Sequence, residues 1–301
     1  MLNNSFKCKL CYSSLGTLIY DKVRESEDYK IYCCNKCNHL QIFPLPEEKD
    51  NKEFYNTNSQ AAWVRPEIDI NKMRQTLNTD TNRRTDFIKK IIDPSDSIVE
   101  IGTGYGFFLE SMKKEGYKIE GIEISRDRRK IAEELNKINI FDIDLCNINT
   151  IPNIIKNRFN LAVAFQVFEH ILEPLKFLKG ISSLLKPKGK IIIEVPNRND
   201  HMIETSDEYK SFYYQKAHVS YYNFNDTYIL LKEAGFKNIN SHFIQRYSVE
   251  NCMNWVTNGK PQINSPSFYC NNKKIKWLDD IYRSELIKRG TTDTLIVEGQ
   301  I

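Results

Sequence analysis

The sequence lacks several features that would place it in a large functional class. No apolar run reaches the roughly 18 residues that a membrane span requires, and the first eight residues contain no apolar core of a signal peptide. Charge of one sign is also scarce, since 43 basic and 39 acidic residues leave a net charge of +4. Such a balance does not favour a nucleic-acid partner. These absences predict a cytoplasmic protein with no membrane span and no nucleic-acid partner.

Apolar residues are nevertheless abundant enough for a substantial core. They make up 41% of the 301 residues, and aromatic residues make up 12%, as in globular proteins. The length suits one large domain or one medium domain joined to a small one, and we predict two domains with a boundary near residue 60. The aromatic residues Phe54, Tyr55 and Trp63 then lie where the two domains would pack together, or where a ligand would be covered.

Cysteine is distributed unevenly along the chain. Five of the eight cysteines lie within the first 37 residues, and four of them form two Cys-x-x-Cys pairs, Cys8/Cys11 and Cys34/Cys37. In a reducing compartment clustered cysteines favour metal binding over disulfides. Two such pairs supply the four thiolates of a tetrahedral zinc site, which is typically structural. Residues 1–60 are therefore predicted to form a zinc-binding domain, in which the role of Cys33 is open.

Apolar runs alternate with helical periodicity from residue 97 onward. This alternation predicts an α/β fold with a doubly wound, mostly parallel sheet of seven strands, preceded by a helix near 69–92. The predicted strands are 97–101, 118–124, 139–143, 159–165, 190–195, 237–246 and 293–298. The predicted helices are 106–115, 126–137, 173–185 and 226–234.

Three glycines, Gly102, Gly104 and Gly106, follow the first strand of this region and lead into its first helix. Glycine permits positive φ and a close approach of a ligand to the backbone, and a helix N-terminus offers free N–H groups. Ligands of open α/β sheets bind at the carboxyl ends of the strands, so this loop predicts a cofactor site. The dinucleotide fingerprint requires a third glycine where this chain has Phe107.

Acidic residues accompany the glycine loop. Glu100 precedes it, and Glu123 ends the second strand, where a carboxylate can accept hydrogen bonds from both ribose hydroxyls. Asp144, beside Leu145 after the third strand, is a candidate acceptor for an adenine amino group. NAD and other adenosine ligands share this pattern, so these residues leave an NAD-dependent oxidoreductase open.

Four segments together resemble class I S-adenosylmethionine-dependent methyltransferases: Glu100–Gly106, Glu123, Asp144-Leu145 and Phe165–His170. The resemblance covers about residues 75 to 245 and implies a Rossmann-like fold with S-adenosylmethionine as cofactor. It also implies that the glycine loop cradles the methionine part, that Glu123 binds the ribose, and that Gln166 lines the cofactor pocket. It assigns the methyltransferase domain to residues 61–301.

Two further resemblances concern the methyl acceptor. The cysteine pairs with the run from Cys34 to Phe43 resemble the zinc-binding domain of sugar C-methyltransferases, which act on nucleotide-linked deoxysugars. His218 and Tyr221 match the catalytic segment of that family, whereas Gln215 and Ala217 stand where it has Tyr and Glu. The region after residue 245 resembles shorter methyltransferases of surface-polysaccharide biosynthesis. These resemblances imply a sugar, sugar-phosphate or nucleotide-linked acceptor.

Methyl transfer to a hydroxyl requires that the acceptor lose a proton. A neutral histidine suits that step near pH 7, and His218 is our first candidate for the base, with His170 second. A structural role is the alternative for each of them. Methyl transfer to carbon or to a phosphate or phosphoramidate oxygen stays open, as does a zinc-ribbon binding module with an inactive enzyme domain.

Four residues are candidates for binding the acceptor: Tyr221, Arg246, Asn251 and Trp255. Aromatic faces stack on sugar rings, and an arginine fork can pair with a phosphate or a carboxylate. Packing within a lid, for the aromatic residues, and a solvated surface, for the arginine, are the alternatives.

Overall fold

The computed structural model describes residues 5–46, 69–262 and 269–301. Phe54, Tyr55, Trp63 and the predicted domain boundary near residue 60 lie outside these ranges. Within the described residues, each helix is too short or too polar to traverse a lipid bilayer.

The described residues contain eleven strands and nine α-helices. The strands are β1 (Gly16–Tyr20), β2 (Lys30–Cys34), β3 (Leu40–Phe43), β4 (Ser97–Ile101), β5 (Lys118–Ile122), β6 (Ile140–Phe141), β7 (Phe159–Phe165), β8 (Leu185–Pro196), β9 (Ser220–Tyr221), β10 (Lys237–Ile244) and β11 (Thr294–Gln300). The helices are α1 (Ile70–Ile88), α2 (Phe107–Lys114), α3 (Arg126–Asn136), α4 (Pro174–Leu184), α5 (Met202–Thr205), α6 (Asp207–Tyr213), α7 (Phe224–Glu233), α8 (Val249–Asn258) and α9 (Lys276–Arg289).

The larger sheet confirms the predicted α/β class and its seven strands. Its strand order is β10-β11-β8-β7-β4-β5-β6. The five strands from β8 to β6 are parallel, and β11 and β10 continue the sheet in antiparallel fashion. The chain thus winds outward from β4 in both directions, which places the ends of β4 and β7 at the switch point of the sheet.

Both faces of this sheet are covered by apolar side chains. On β7, Leu161, Val163 and Phe165 pack into one core, whereas Ala162 and Ala164 pack into a second core on the opposite face. Since successive side chains of a strand point to opposite faces, a continuous apolar run is what a strand buried on both sides requires. The central strands are therefore rigid supports for the loops that follow them.

The sequence-based element bounds differ from the structure mainly outside the sheet centre. Strand β7 has its predicted bounds, but β6 shrinks to two residues and β8 begins at Leu185 rather than 190. Helices α6, α8 and α9 and strand β9 were not predicted. In α9 the exposed residues Trp277 and Ile281 interrupt the helical apolar pattern, so periodicity gave little signal there.

A second, antiparallel sheet has the order β1-β2-β3-β9. Its last strand comes from far along the chain, with Leu40 opposite Tyr221 and Gln41 opposite Ser220. His39 adds a side-chain contact, since its Nε2 lies 3.2 Å from the Ser220 hydroxyl. The N-terminal strands are thereby fixed to the segment that follows His218.

A buried ion-pair cluster fastens α1 to the large sheet. Glu194 of β8 is fully buried, and its Oε1 accepts hydrogen bonds from Arg84 Nε at 3.0 Å and Nη2 at 2.5 Å. Arg83 Nη2 lies 2.9 Å from Oε2 of the same carboxylate. Burial alone would raise the pKa of Glu194, but the two guanidinium groups hold it below its usual value.

Replacing Glu194 should test how strongly this cluster stabilises the fold. We expect Glu194→Gln to lower the free energy of unfolding by roughly 3 kcal/mol, since it removes the charge of the buried carboxylate that Arg83 and Arg84 share. Urea unfolding followed by circular dichroism measures the loss. The matched control is Glu120→Gln, which removes a partly exposed pair with Arg158 and should cost less than about 1 kcal/mol. Equal losses in the two variants would contradict the assignment.

Candidate active site

The four predicted zinc ligands converge in the N-terminal sheet region. Cys8 and Cys37 have their sulfurs 3.6 Å apart, those of Cys11 and Cys34 are 3.5 Å apart, and all four lie within 4.8 Å of one another. A tetrahedral ion with Zn–S bonds of about 2.3 Å separates its sulfurs by about 3.7 Å, so the set fits zinc. The Cys33 sulfur instead lies 3.8 Å from the carbonyl oxygen of Cys34.

The glycine loop lies between β4 and α2, as predicted, and all three glycines have positive φ, with values of 70°, 55° and 77°. A Cβ on Gly102 would lie 2.5 Å from a methyl carbon of Val167, and one on Gly106 would lie 2.5 Å from the amide nitrogen of Asn136. A Cβ on Gly104 would meet no atom of the described residues within 4 Å. The outer glycines therefore permit close packing, whereas Gly104 faces open space.

Glu123 holds the glycine loop in place from the end of β5. Its two carboxylate oxygens accept hydrogen bonds from the backbone N–H groups of Gly104 and Ser125, each at 2.8 Å. Each oxygen keeps a further lone pair, so the carboxylate is preorganised and can still accept from two ribose hydroxyls. The predicted ribose-binding acid and the loop are thus one structural unit.

Several buried polar atoms beside the loop have no hydrogen-bond partner among the described residues. They are Glu100 Oε2, Thr103 Oγ1 and Gln166 Nε2. Gln166 also has a φ of 56°, which is uncommon for a residue with a side chain. Unpartnered buried polar atoms usually indicate a missing water or ligand. The donor set therefore fits a polar, nucleoside-containing cofactor such as S-adenosylmethionine.

The remaining pair of predicted cofactor residues is placed differently. Asp144 is half-buried and its Oδ1 accepts a hydrogen bond from the N–H of Cys146 at 3.0 Å, as in a turn. Leu145 buries its side chain in the core, where Gly180 packs so closely that a Cβ would lie 2.1 Å from the Leu145 carbonyl oxygen. Since the side chain of Leu145 is buried, the predicted contact with the cofactor would have to be made by its backbone, and it stays a prediction.

A cavity of about 420 Å³ adjoins the loop that follows β7. It brings together Gln166 and four residues predicted from the sequence as catalytic or substrate-binding: His218, Arg246, Asn251 and Trp255. Its lining also contains Arg24, Pro196, Tyr209, Phe212, Tyr213, Gln215, Tyr247, Pro261 and Asp293. A wall that combines several aromatic side chains with converging polar groups is typical of a small-molecule site.

Tyr221 is not among the described residues that line this cavity. Its ring is 1% exposed, and its hydroxyl accepts a hydrogen bond from the Gln215 N–H and donates one to the Gln215 carbonyl. This pair of bonds closes the turn that carries His218. The structure thus gives Tyr221 a positioning role in place of the predicted contact with the acceptor.

Arg246 reaches the cavity but is held by two carboxylates. Its Nε donates to Asp293 at 3.2 Å and its Nη1 to Asp80 at 2.9 Å, and its guanidinium lies over the Tyr247 ring. Arg246 is therefore largely neutralised where the sequence predicted a cation available to a phosphate. Its partners come from distant parts of the chain, so they could not be inferred from the residues around Arg246.

The two candidate histidines lie next to each other, and His218 lines the cavity. The rings of His170 and His218 pack edge to face with centroids 4.9 Å apart. Between them lies Glu169, whose Oε1 is 3.9 Å from His170 Nε2 and 4.0 Å from His218 Nε2. We did not predict a role for Glu169, although an acidic residue directly before His170 in the loop after a buried strand was a usable signal.

Burial determines the protonation of this group. It raises the pKa of Glu169 to about 8 and lowers that of His170 to about 4. The pKa of His218 lies well below its usual value for the same reason. Both imidazoles are therefore neutral near pH 7.

Comparison with known proteins identifies the family of this site. A family described as a methyltransferase domain matches residues 72–241. Ubiquinone biosynthesis O-methyltransferase of Idiomarina loihiensis is 26% identical over 104 residues, which are 34% of this chain and 43% of the relative. The enzyme of the same name from Coxiella burnetii is 26% identical over 109 residues, 34% of this chain and 44% of the relative. The chain thus spans less than half the length of these curated relatives.

Solved structures show the same fold. A SAM-dependent methyltransferase from Archaeoglobus fulgidus has a TM-score of 0.53 at 19% identity, over 74% of this chain and 94% of that one. Phosphoethanolamine N-methyltransferase 2 of Haemonchus contortus, in complex with S-adenosyl-L-methionine, has a TM-score of 0.50 at 17% identity, over 73% and 52% of the two chains.

The open side of Gly104 provides a test of the cofactor site. We expect Gly104→Ala to weaken S-adenosylmethionine binding at least tenfold, because the added Cβ enters the space where the loop faces the ligand. Isothermal titration measures the affinity. Gly116→Ala is the matched control, since Gly116 also has positive φ and open surroundings. Both variants should lose about 1 kcal/mol of stability from backbone strain, but only the first should lose affinity. Unchanged affinity in Gly104→Ala would place the cofactor elsewhere.

Proposed function

This chain belongs to the methyltransferase-domain family and is an S-adenosylmethionine-dependent methyltransferase, and on that premise we propose that its acceptor is a carbohydrate. The acceptor would be a sugar, sugar phosphate or nucleotide-linked sugar in surface-polysaccharide biosynthesis, methylated on a hydroxyl oxygen. The cavity that Gln166 shares with His218 and Trp255 carries this proposal. It joins the loop beside the cofactor site to an aromatic wall that suits a sugar ring.

The residues around the glycine loop would bind the cofactor. Glu100, the glycine loop, Glu123 and Gln166 would hold S-adenosylmethionine, with Asp144 and Leu145 at the adenine side. The cofactor, when bound, supplies a methyl carbon on a positively charged sulfur. The protein must then orient the acceptor and remove the proton of its hydroxyl group.

Acceptor binding and activation would fall to the cavity residues. Trp255 is 4% exposed and packs edge to face on Tyr209, so its indole offers a rigid surface to a ring. Asn251 supplies polar contacts beside it. His218 is the residue that we propose to activate the hydroxyl, with His170 as its neighbour, since a neutral imidazole can take up a proton.

Other acceptors are supported less strongly. Methyl transfer to carbon would follow the sugar C-methyltransferase resemblance, but Ala217 stands where that family has its glutamate. A phosphate or phosphoramidate oxygen would need a cation, and the cavity does contain Arg24. An aromatic hydroxyl is a second candidate, because the curated relatives are named ubiquinone biosynthesis O-methyltransferases and an aromatic wall also suits such a ring.

We also propose that residues 1–60 form a structural zinc domain. The sulfur separations of 3.5 and 3.6 Å between the cysteine pairs support this proposal. The small sheet is built from strands of two to five residues, and metal binding would supply folding free energy that a small core lacks. Because β3 pairs with β9, a zinc-stabilised sheet would also hold the segment next to His218 in place.

Substitution of His218 tests the assignment of the active site. We expect His218→Ala to lower turnover at least about 100-fold, a typical contribution of proton-transfer catalysis, with S-adenosylmethionine affinity near that of the wild type. Labelled cofactor with a panel of nucleotide sugars, sugar phosphates and phenols identifies the acceptor and measures turnover. The control is His242→Ala, since His242 is partly exposed and packs on Phe87. Normal turnover of His218→Ala would move the role to His170, and methylation of phenols alone would overturn the carbohydrate proposal.

Metal analysis tests the zinc domain. We expect about one zinc ion per chain in the purified protein and its loss in Cys37→Ser, together with lower thermal stability. Cys33→Ser is the matched control, because the Cys33 sulfur lies outside the converging set, and it should retain zinc. A wild-type protein without zinc would rule out the four-thiolate site, and loss of zinc in Cys33→Ser would mean that Cys33 is a ligand.

A further inference from the structure

The group formed by Glu169, His170 and His218 has an arrangement that general-base chemistry alone does not explain. Glu169 is 2% exposed, and neither of its carboxylate oxygens has a hydrogen-bond partner among the described residues. Leaving a buried carboxylate without donors costs several kcal/mol in either protonation state. If one histidine acts as the general base, only one imidazole is needed, and Glu169 is still left without a hydrogen-bond donor. Something that binds all three side chains would account for it.

We propose that Glu169, His170 and His218 bind a divalent transition-metal ion such as Mn²⁺. Two histidines and one carboxylate are a common set of ligands for such ions and leave coordination positions open. The three side chains can each offer one ligand atom, and these atoms lie within 4.8 Å of one another. Two ligands on one ion, each about 2.1 Å from it, are separated by at most about 4.2 Å. Small side-chain rotations would thus bring the set to binding distance.

The tautomer of His170 supports metal ligation. Its Nδ1 lies 2.7 Å from the carbonyl oxygen of Ala217. A carbonyl can only accept, so Nδ1 carries the proton and Nε2, the nitrogen on the Glu169 side, carries the lone pair. Metal-binding histidines usually donate their second ring nitrogen to a backbone carbonyl or a carboxylate in this manner, which fixes the ring for ligation.

The environment of His218 is also compatible with an ion. Arg24 donates to Gln215 Oε1 at 2.6 Å, which turns the amide nitrogen of Gln215 toward His218, 2.9 Å from its Nε2. That nitrogen of His218 is therefore an acceptor, as a metal ligand must be. Gln215 lines the cavity, and its amide would have to turn away from His218 for the ion to take that nitrogen.

Two of the four described arginines near the group are compensated by buried carboxylates. Arg84 and Arg246 are the arginines near Glu169, whereas Arg24 lies near His218 and Arg128 near His170. Arg84 is paired with Glu194 at 2.5 Å, and Arg246 is paired with Asp293 at 3.2 Å. These two guanidinium groups are thus compensated by carboxylates of their own, and the ion would bind Glu169 as the carboxylate, displacing the proton that burial favours.

The chemical role of the ion rests on the proposed function, methyl transfer to a carbohydrate hydroxyl. Since His218 lines the acceptor cavity, an open coordination position there would take the hydroxyl oxygen of the acceptor and lower its pKa. In the overall exchange the acceptor O–H bond is replaced by an O–CH₃ bond. The proton passes to solvent, and the electron pair of the broken S–CH₃ bond stays on sulfur as a neutral thioether. No oxidant or reductant is needed.

Ion binding is measured first, without any acceptor. The protein with its zinc in place is stripped with a mild chelator and titrated with MnCl₂ under electron paramagnetic resonance. We expect one Mn²⁺ per chain in the wild type and at least a tenfold weaker affinity in Glu169→Gln. The control His242→Ala removes a partly exposed histidine that lies 3.7 Å from Glu298 and should leave Mn²⁺ binding unchanged. Mn²⁺ is chosen because a thiolate site does not favour it.

A second readout uses the wild type alone, in case Glu169→Gln does not fold. Electron spin-echo modulation of bound Mn²⁺ should show the nitrogen couplings of two imidazoles. No bound Mn²⁺, binding without imidazole nitrogen couplings, or equal binding by a folded Glu169→Gln would overturn the proposal.

Activity separates this inference from the proposed function. Methyl transfer to a carbohydrate should fall at least tenfold on stripping and recover with MnCl₂. Full transfer by the stripped protein would overturn the role of the ion and leave the histidines as bases, with the carbohydrate function intact. Mn²⁺ bound with imidazole couplings but no carbohydrate methylated would support the metal site and refute the acceptor.

Discussion

The structure depends on one constraint: the central strands of a parallel sheet are buried on both faces and end at a common edge. Polar side chains that handle a ligand must therefore be held at that edge, largely out of water, by neighbouring backbone. Glu123 meets this requirement with two backbone N–H groups, whereas Glu100 and Glu169 have carboxylate oxygens without a described partner. Such atoms are costly in a folded protein unless a ligand satisfies them. These unpartnered oxygens lie at the ends of β4 and β7. We therefore infer that ligand binding at these two strand ends offsets the cost of burying the carboxylates.

The local part of this arrangement could be predicted from the sequence, because each signal lay within one short segment. The glycine loop, Glu123 and the two cysteine pairs each lie within a short segment with a recognisable pattern. In the structure Glu123 contacts the glycine loop and the four cysteines converge. The sheet followed from apolar runs that are long enough to be buried on both faces. Element ends and the exposed helices were less predictable, since solvent-facing residues carry little periodic signal.

The acceptor side resisted prediction because its contacts join distant parts of the chain. In the sequence, nothing around Arg246 identifies the carboxylates that pair with it. In the structure it donates hydrogen bonds to Asp80 and Asp293, which are more than forty residues away on either side. Tyr221 has the position of a substrate contact in sequence, yet its hydroxyl binds the backbone of Gln215. In both cases the hydrogen-bonding groups of the side chain are used within the protein, which the sequence around the residue does not reveal.

The N-terminal region supplies part of the cavity wall, so residues from both predicted domains form the acceptor side of the site. Arg24, in the connection between β1 and β2, forms a parallel bridge with Gln215 and places its side chain in the cavity wall. Its guanidinium lies 4.2 Å from the ring centroid of Phe212, so the side chain is fixed by stacking as well as by its bond to Gln215. Since Gln215 in turn contacts His218, any loosening of the cysteine-bearing sheet would shift the histidine that we place at the reacting oxygen. A metal in that sheet would therefore influence the acceptor side of the site, while the glycine loop, held by Glu123 within the large sheet, would keep its geometry.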